Sequence, residues 1–342
     1  MMEFMLWGAA AAIAIAAAFS YRTTNGSKSK GGMKVPGTKP PAALGIGVDH
    51  PAYGAAVRLE AALDADFTAR LESRVRGRSP GMTQAEWEWT WFELKRYFLM
   101  CGIMRQVQMY GARTDDIWHE MLAFTREYQL FCERFCGTMI HHAPHGQASR
   151  PSEDDRAWFD WVYCELFAPS PVSEQVWGRF YAYPMSRAML DEPLVKTPSA
   201  YREARFNMRA ADKNAELAYV VEWLTGRFGQ QLTEGRKLVE GGLAYPKRSR
   251  WDEDNFASAG GAIVFASMLA PLDYERHMEG LLERGKPGSD GAGAGCGSSG
   301  FYGDKSDGSG SHGHGDGSPS DSGGSGGDGG GASCGSAGCG SS

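Results

Sequence analysis

Apolar side chains recur at steps of four and three residues through the first half of the chain, and this rhythm predicts amphipathic helices. The clearest case begins at Thr83, where Thr83 and Glu86 have the spacing of a capping box, in which each side chain accepts a hydrogen bond from the other residue's backbone N–H. The apolar stripe that follows consists of Trp87, Trp91, Leu94, Phe98 and Cys101. We expect a helix whose aromatic face lies in the core, with a face that stacks on a cofactor as the alternative.

The same rhythm continues over residues 115–136 and predicts a second helix. Asp115 and Asp116 in its first turn favour the positive end of the helix dipole. Gly137 stands where a helix can end in the left-handed conformation. The apolar positions are Ile117, Met121, Phe124, Tyr128, Phe131 and Phe135. We expect the two helices to form an antiparallel pair joined near Gly111.

Helical patterns also cover most of the remaining chain. They predict a helix pair at residues 51–76 and further helices at 152–166, 199–229 and 231–243, with an irregular aromatic segment at 170–193. The apolar run at 256–270 is too short to span a bilayer and is predicted to be a buried helix. Persuasive strand alternation occurs nowhere in the sequence, so the predicted fold class is mainly α.

Residues 4–19 form an uncharged apolar run that extends to residue 21. Its length is at the short limit of the roughly 17–25 residues that span a bilayer. Glu3 precedes the run and positive residues follow it from Arg22 onward, and positive residues remain on the cytoplasmic side of a membrane. We therefore predict a single-pass transmembrane anchor at residues 1–22, in the inner or plasma membrane, with the N-terminus outside and the bulk of the chain cytoplasmic. A cleaved signal peptide is the alternative.

Composition divides the rest of the chain into three parts. Residues 23–41 are rich in Gly, Ser, Lys and Pro and are predicted to be a flexible linker. Residues 42–284 are predicted to form a helical domain with its motif core at 83–145. Residues 285–342 hold half of the 46 glycines, together with Ser, Asp, His and Cys, and are predicted to be a disordered tail.

Charge and cysteine content exclude some classes of protein. The net charge of −6 is mild, and no run concentrates Lys and Arg, so nucleic acid is not an expected partner. Seven cysteines are too few for a disulfide framework in 342 residues, and reduced thiols in a cytosolic compartment are expected.

Residue types that bind metals or transfer protons are concentrated between residues 115 and 145. On one continuous helix that rises ~1.5 Å per residue, His119 and Cys132 lie about 20 Å apart and cannot share an ion. A site joining the two ends would require a break in the helix. His119 is then expected to bond to Asp115, one turn earlier, with a catalytic or ligand role as the alternative.

The other end of this predicted helix carries a second group of candidate ligands. Its members are Cys132, Cys136, His141, His142 and His145. The two thiols share a helix face, the chain turns at Gly137, and Cys and His are the ligand types that zinc takes. A local zinc site is one hypothesis. The alternative is that the thiols pack as small hydrophobes and the histidines cap the helix end.

The motif in this stretch resembles the glycine-rich domain-containing protein family. The resemblance is carried by Trp118, His119, Tyr128, Cys132, Gly137 and His142, and the helix that contains Trp91 and Phe98 is similar to the segment before the motif in bacterial members. The Gly-rich tail resembles the feature that gives the family its name. The resemblance implies an architecture without an established reaction. Cys136 stands where the resemblance implies an aromatic residue, which weakens a Cys132/Cys136 metal site as a family property.

Two functions from different classes are expected from the sequence. The first is a membrane-anchored scaffold or interaction module that contacts a protein partner through the helical domain or the tail. The second is a metal-binding protein, for zinc or iron, or a hydrolase that uses the Trp-His and Cys/His motif.

Overall fold

Helices joined by short turns make up most of the residues that the computed structural model describes, which are 32–142, 152–168, 170, 172–242 and 259–284. These residues belong to the compact unit Met1–Gly300 and none belongs to the second unit, Phe301–Ser342. The helices of the first half are α1 (Tyr53–Ala62), α2 (Ala65–Arg78), α3 (Gln84–Ile103), α4 (Ala112–Leu122), α5 (Thr125–Cys136) and α6 (Glu153–Leu166). Those of the second half are α7 (Ser173–Trp177), α8 (Arg187–Val195), α9 (Pro198–Arg205), α10 (Met208–Ala211), α11 (Ala215–Glu240), α12 (Ala259–Leu269) and α13 (Tyr274–Arg284).

The predicted mainly α fold is confirmed. Within the described ranges, extended pairing is limited to one isolated bridge between Met104 and Phe206. The predicted helix pair at residues 51–76 corresponds to α1 and α2. Within the apolar run predicted to be a buried helix, residues 259–269 form α12, which is buried from Gly260 to Ser267.

Helix α3 lies at the centre of the packing. Its start matches the sequence prediction, because the Thr83 side chain and Glu86 form a complete capping box. Its side chains are buried around most of the helix, and it contacts α1, α4, α10 and α11. The sequence predicted one buried face, whereas the structure surrounds most of this helix with protein. This burial explains why the helix contains so many aromatic residues.

The predicted long helix at residues 199–229 is wrong in its first part, because the chain there forms α9, α10 and the start of α11. Tertiary hydrogen bonds account for the break after Arg205. The N–H of Asn207 donates to the Ile103 carbonyl at 2.8 Å, and the N–H of Arg105 donates to the Arg205 carbonyl at 3.0 Å. The separate helix predicted at 231–243 is instead the end of α11, and the segment predicted to be irregular, 170–193, contains α7 and part of α8.

Three predictions concern the ends of the chain. The anchor at residues 4–21 and the tail at 285–342 lie outside the described residues. No helix in the described ranges is both long enough and apolar enough to cross a membrane. The flexible linker predicted at 23–41 needs correction in its second half, because Met33 N–H donates to Glu86 at 2.7 Å and the Trp89 indole donates to the Thr38 carbonyl at 3.1 Å.

Candidate metal centre

Helix α4 carries the first two residues of the candidate centre. Asp115 and His119 are four positions apart and therefore lie on the same face of the helix. His119 Nδ1 is 3.6 Å from Asp115 Oδ2, and the side chains are 27% and 11% exposed. His119 thus lies beside Asp115, as expected, at a distance longer than that of a hydrogen bond. The neighbouring Ile117 and Trp118 point into the core and fix the orientation of this face.

Helix α5 ends so that the chain turns back toward α4. Gly137 adopts the left-handed conformation, with φ 68° and ψ 5°, and its N–H donates to the carbonyls of Cys132 and Glu133. This confirms the predicted helix end, since a glycine takes that conformation without steric cost. A Cβ at this position would also lie 2.8 Å from the Lys213 side chain. The turn sends residues 138–142 back along α5.

Two buried side chains hold the returning segment in place. The Tyr128 hydroxyl donates to the Ile140 carbonyl at 2.7 Å and accepts from the Trp118 indole N–H at 3.1 Å. Burial raises the pKa of Tyr128 well above its ordinary value, so this hydroxyl keeps its proton and remains a donor. The Trp118 ring also meets the His142 ring edge to face, with centroids 4.4 Å apart. These contacts place His142 over α4.

His142 completes a group of three potential metal ligands. Its Nε2 is 2.7 Å from Asp115 Oδ1, and its ring centroid is 4.5 Å from that of His119. One ligand atom from each of Asp115, His119 and His142 lies within 4.8 Å of the others. The His142 side chain is only 8% exposed. Two imidazoles and one carboxylate form a donor set found in mononuclear iron(II) sites and, with positions left for water or substrate, in catalytic zinc sites.

The predicted separation of His119 from the returning histidines is wrong. It assumed one straight helix over residues 115–136, whereas the helix ends at Leu122 and a new one begins at Thr125. Phe124 leaves the helical conformation, with φ −93° and ψ 61°. The break folds α5 and the segment after it back toward α4, which brings His142 to His119. Asp115 was foreseen as a partner of His119 but not as a ligand, although its four-residue spacing from His119 was a usable signal.

The predicted cysteine site is not assembled by the residues that the structure describes. Cys132 and Cys136 are buried, and no group of three potential ligands in the described ranges includes either thiol. Burial raises the pKa of the Cys132 thiol to about 11, which opposes the thiolate form that binds metals. The Cys136 thiol donates to the Thr138 carbonyl at 3.1 Å. His141 is exposed, and His145 lies outside the described residues.

The six residues of the sequence motif nevertheless form one connected structure. Trp118 and Tyr128 hold the returning segment, Gly137 makes its turn, and His119 and His142 meet beside Asp115. Cys132 is packed between these contacts as a buried thiol and accepts, through its carbonyl, the Gly137 N–H at 3.0 Å. The motif therefore specifies the geometry around His142 as well as two of the three candidate ligands.

A cavity of about 1020 Å³ adjoins the candidate centre. Its lining includes His142 and Trp118, together with residues from the segments at 104–109 and 203–213. This cavity could not be predicted from the sequence, because its lining comes from segments about 100 residues apart that only the fold brings together.

Comparison with known proteins gives one match. A family model described as UCP032817-like matches residues 57–164, about a third of the chain, and its description states no activity. A search of curated proteins and a search of solved structures each gave no match. The matched span contains all three candidate ligands, whereas the predicted anchor and tail lie outside it.

Proposed function

We propose that this protein binds a divalent transition metal, zinc or iron, through Asp115, His119 and His142. The observation that carries the proposal is that three potential ligand atoms lie within 4.8 Å of one another. Two of them come from successive turns of α4 and the third comes from the returning segment. An ion at this point would replace the hydrogen bond between His142 Nε2 and Asp115 with bonds to the metal.

The surroundings of the three residues favour binding over a simple surface ion pair. Asp115 and His142 have side chains 11% and 8% exposed, so both have given up most of their contact with water. The Trp118 and Tyr128 bonds fix the segment that carries His142, and such supporting contacts are typical of metal sites. The loss of water contact by Asp115 and His142 costs free energy, and a bound metal ion would offset that cost.

The chemistry that such a centre supports is activation of a metal-bound water or a small molecule. With three protein ligands, a bound zinc keeps a position for water, whose pKa falls to about 7 in hydrolytic enzymes. His142 borders the cavity, so a substrate there would lie beside the metal. A metal-dependent hydrolase is therefore the reaction class that we propose, with an iron-dependent oxidation as the second possibility from the same donor set.

Metal titration of the purified full-length protein tests the proposal. After treatment with a chelator, the protein should bind close to one equivalent of Zn²⁺ or Co²⁺ by calorimetry, and Co²⁺ should give the absorption bands of a protein-bound ion. His142→Ala and His119→Ala should each weaken binding by at least about a hundredfold, because loss of a direct ligand should cost no less than the 10–100-fold typical of an outer-shell partner. His141→Ala is the matched control, since His141 is exposed next to His142 and belongs to no ligand group within the described residues.

Two outcomes would reject the metal site. One is a folded wild-type protein that binds neither ion. The other is binding that the His141→Ala and His142→Ala variants weaken equally. Binding that depends on Cys132 but not on His119 would instead support the cysteine site.

We propose, from the sequence, that residues 4–21 anchor the protein in the inner or plasma membrane with the bulk of the chain cytoplasmic. We also retain as proposals the resemblance to the glycine-rich domain-containing family and a scaffolding role for the tail. The connected motif around His142 supports the first of these two. Support for the second comes from composition alone.

A further inference from the structure

The cavity beside His142 combines an apolar lining with an excess of positive charge. Its apolar surface includes Met104, Ile140 and Phe206. Its charged lining residues outside the histidines are Arg105, Arg209, Lys213 and Glu203. Three cations and one carboxylate leave a positive balance in a chain whose net charge is −6.

The three cations of the lining lack the carboxylate partners that most arginines in the described residues have. Elsewhere in the described residues, arginines are commonly bound to carboxylates, as in the pairs of Arg70 with Glu127 and Arg202 with Glu222. Arg105 instead donates to the Glu203 carbonyl at 3.1 Å, and Lys213 donates to the Gly137 carbonyl at 2.7 Å. No carboxylate partner of Arg105, Arg209 or Lys213 is found in the described part of the chain.

The one acidic residue of the lining forms no ion pair with these three cations in the described part of the chain. The Glu203 carboxylate accepts a hydrogen bond from the Ser199 hydroxyl at 3.1 Å. Arg105 contacts the Glu203 backbone rather than its carboxylate. The charge of the cavity wall is therefore balanced by solvent, or by a ligand that carries negative charge.

We infer that this cavity binds an organic anion, with a phosphate or carboxylate group held by Arg105, Arg209 and Lys213 and an apolar body against Met104, Ile140 and Phe206. Arginine binds such groups through a planar fork of donors, and unneutralised cations in a concave site raise the local concentration of anions. The volume of about 1020 Å³ is far larger than an inorganic ion needs and lies at the upper end of ligand pockets. The ligand class is thus an amphipathic small molecule.

This inference deepens the proposed function. The role of the anion as a substrate rests on the proposed metal site. His142 would lie at the boundary between the two, as a metal ligand on one side and a cavity wall on the other. Binding of the anion itself depends on the cations and does not require the metal. The two proposals can therefore fail independently.

Phenylphosphonate is a suitable probe, since it joins an anionic group to an apolar ring. It contains no phosphate ester bond that a hydrolase could cleave. Its dissociation constant for the full-length protein, with and without Zn²⁺, should be measured by calorimetry. We expect Arg209→Gln and Arg105→Gln each to weaken binding about fivefold to tenfold, as the loss of one charge-assisted contact at a solvent-accessible site implies. Benzyl alcohol, which has the ring without the charge, should bind at least about tenfold more weakly.

Arg134→Gln is the matched control. Arg134 is an exposed arginine near the end of α5 that does not line the cavity, so its loss changes net charge equally without touching the site. The substituted arginines are themselves exposed, and circular dichroism of each variant will show whether the fold is retained.

The outcomes separate the two proposals. Anion binding that falls in the Arg105 and Arg209 variants, without any binding of Zn²⁺, keeps the anion site and removes the metal centre. Zn²⁺ binding that depends on His142, with phenylphosphonate binding absent or unchanged in both arginine variants, overturns the anion site and keeps the metal centre. Equal binding of benzyl alcohol and phenylphosphonate also overturns it.

Discussion

Tyr128 is the residue on which the position of His142 most depends. Its hydroxyl is the junction between the Trp118 indole on α4 and the Ile140 carbonyl on the returning segment. All of these groups are buried, so removal of the hydroxyl leaves a donor and an acceptor without partners. An unsatisfied buried polar group costs about 1–3 kcal/mol.

We therefore expect Tyr128→Phe to lower the free energy of unfolding by roughly 1–3 kcal/mol. It should also weaken Zn²⁺ binding by about tenfold, because the segment that carries His142 loses its main attachment. Denaturation with urea and metal titration of the same preparation would measure both effects. Tyr219→Phe is the control, since Tyr219 is 62% exposed. Loss of stability with unchanged metal affinity would show that Tyr128 does not position the ligand.

Among the helices, local signals in the sequence located the ends that are marked by caps. The capping boxes at Thr83 and Ser152 start α3 and α6, and Gly137 ends α5, because these signals depend on residues within one turn. The break between α4 and α5 had no such signal. The apolar rhythm continues through Met121, Phe124 and Tyr128 with no proline or glycine between them.

Tertiary contacts explain the break. The Phe124 ring packs edge to face on Phe67 of α2, with centroids 5.5 Å apart, and the guanidinium groups of Arg70 and Arg74 lie over it. Long-range contacts of this kind cannot be inferred from periodicity. The candidate centre depends on this break, which is why the sequence identified His119 and His142 as important residues but not as neighbours.

The junction between α6 and the segment after α7 contains a buried hydrogen bond between Arg156 and a titratable carboxyl, Asp160. Arg156 on α6 donates to Asp160 at 2.8 Å and to the Trp177 carbonyl at 2.7 Å, and the Tyr181 N–H donates to Asp160 at 2.8 Å. Burial raises the pKa of Asp160 to about 7, against the opposing effect of Arg156. The folded state therefore binds this proton more tightly than the unfolded chain, where the pKa is near 3.9.

A raised pKa in the folded state gives stability that is fully present below about pH 4 and is lost as the pH rises through about 7. The loss is at most about 4 kcal/mol, at 1.36 kcal/mol per unit of pKa difference. We expect the free energy of unfolding of wild type, relative to Asp160→Asn, to fall between pH 5 and pH 8. Urea denaturation at four pH values measures this difference. Asp212→Asn, at an exposed aspartate, should show no such trend, and a pH-independent difference for Asp160→Asn would contradict the expected titration.

The helical domain and the proposed membrane anchor call for separate tests. The charge asymmetry between Glu3 and Arg22 places the bulk of the chain in the cytoplasm if residues 4–21 span a bilayer. We expect the full-length protein to remain with membranes after washing in high salt and alkaline carbonate. A C-terminal fusion should resist protease added outside intact cells and be digested once the cells are opened. Digestion in intact cells would overturn the proposed topology, and release by carbonate would overturn the anchor.

The meeting of Asp115 and His142 has a further consequence for the chain between them. The two residues are 27 positions apart, so an ion held by both would close a ring that contains the end of α4, the break and all of α5. An ion that binds only the folded chain would stabilise this ring by mass action, by about 2.7 kcal/mol at a free-metal concentration 100 times the dissociation constant. The ion would then hold the two ends of the ring together reversibly, and the melting temperature would rise with the concentration of free metal. The stability of the α4–α5 hairpin would in this way depend on the concentration of free metal.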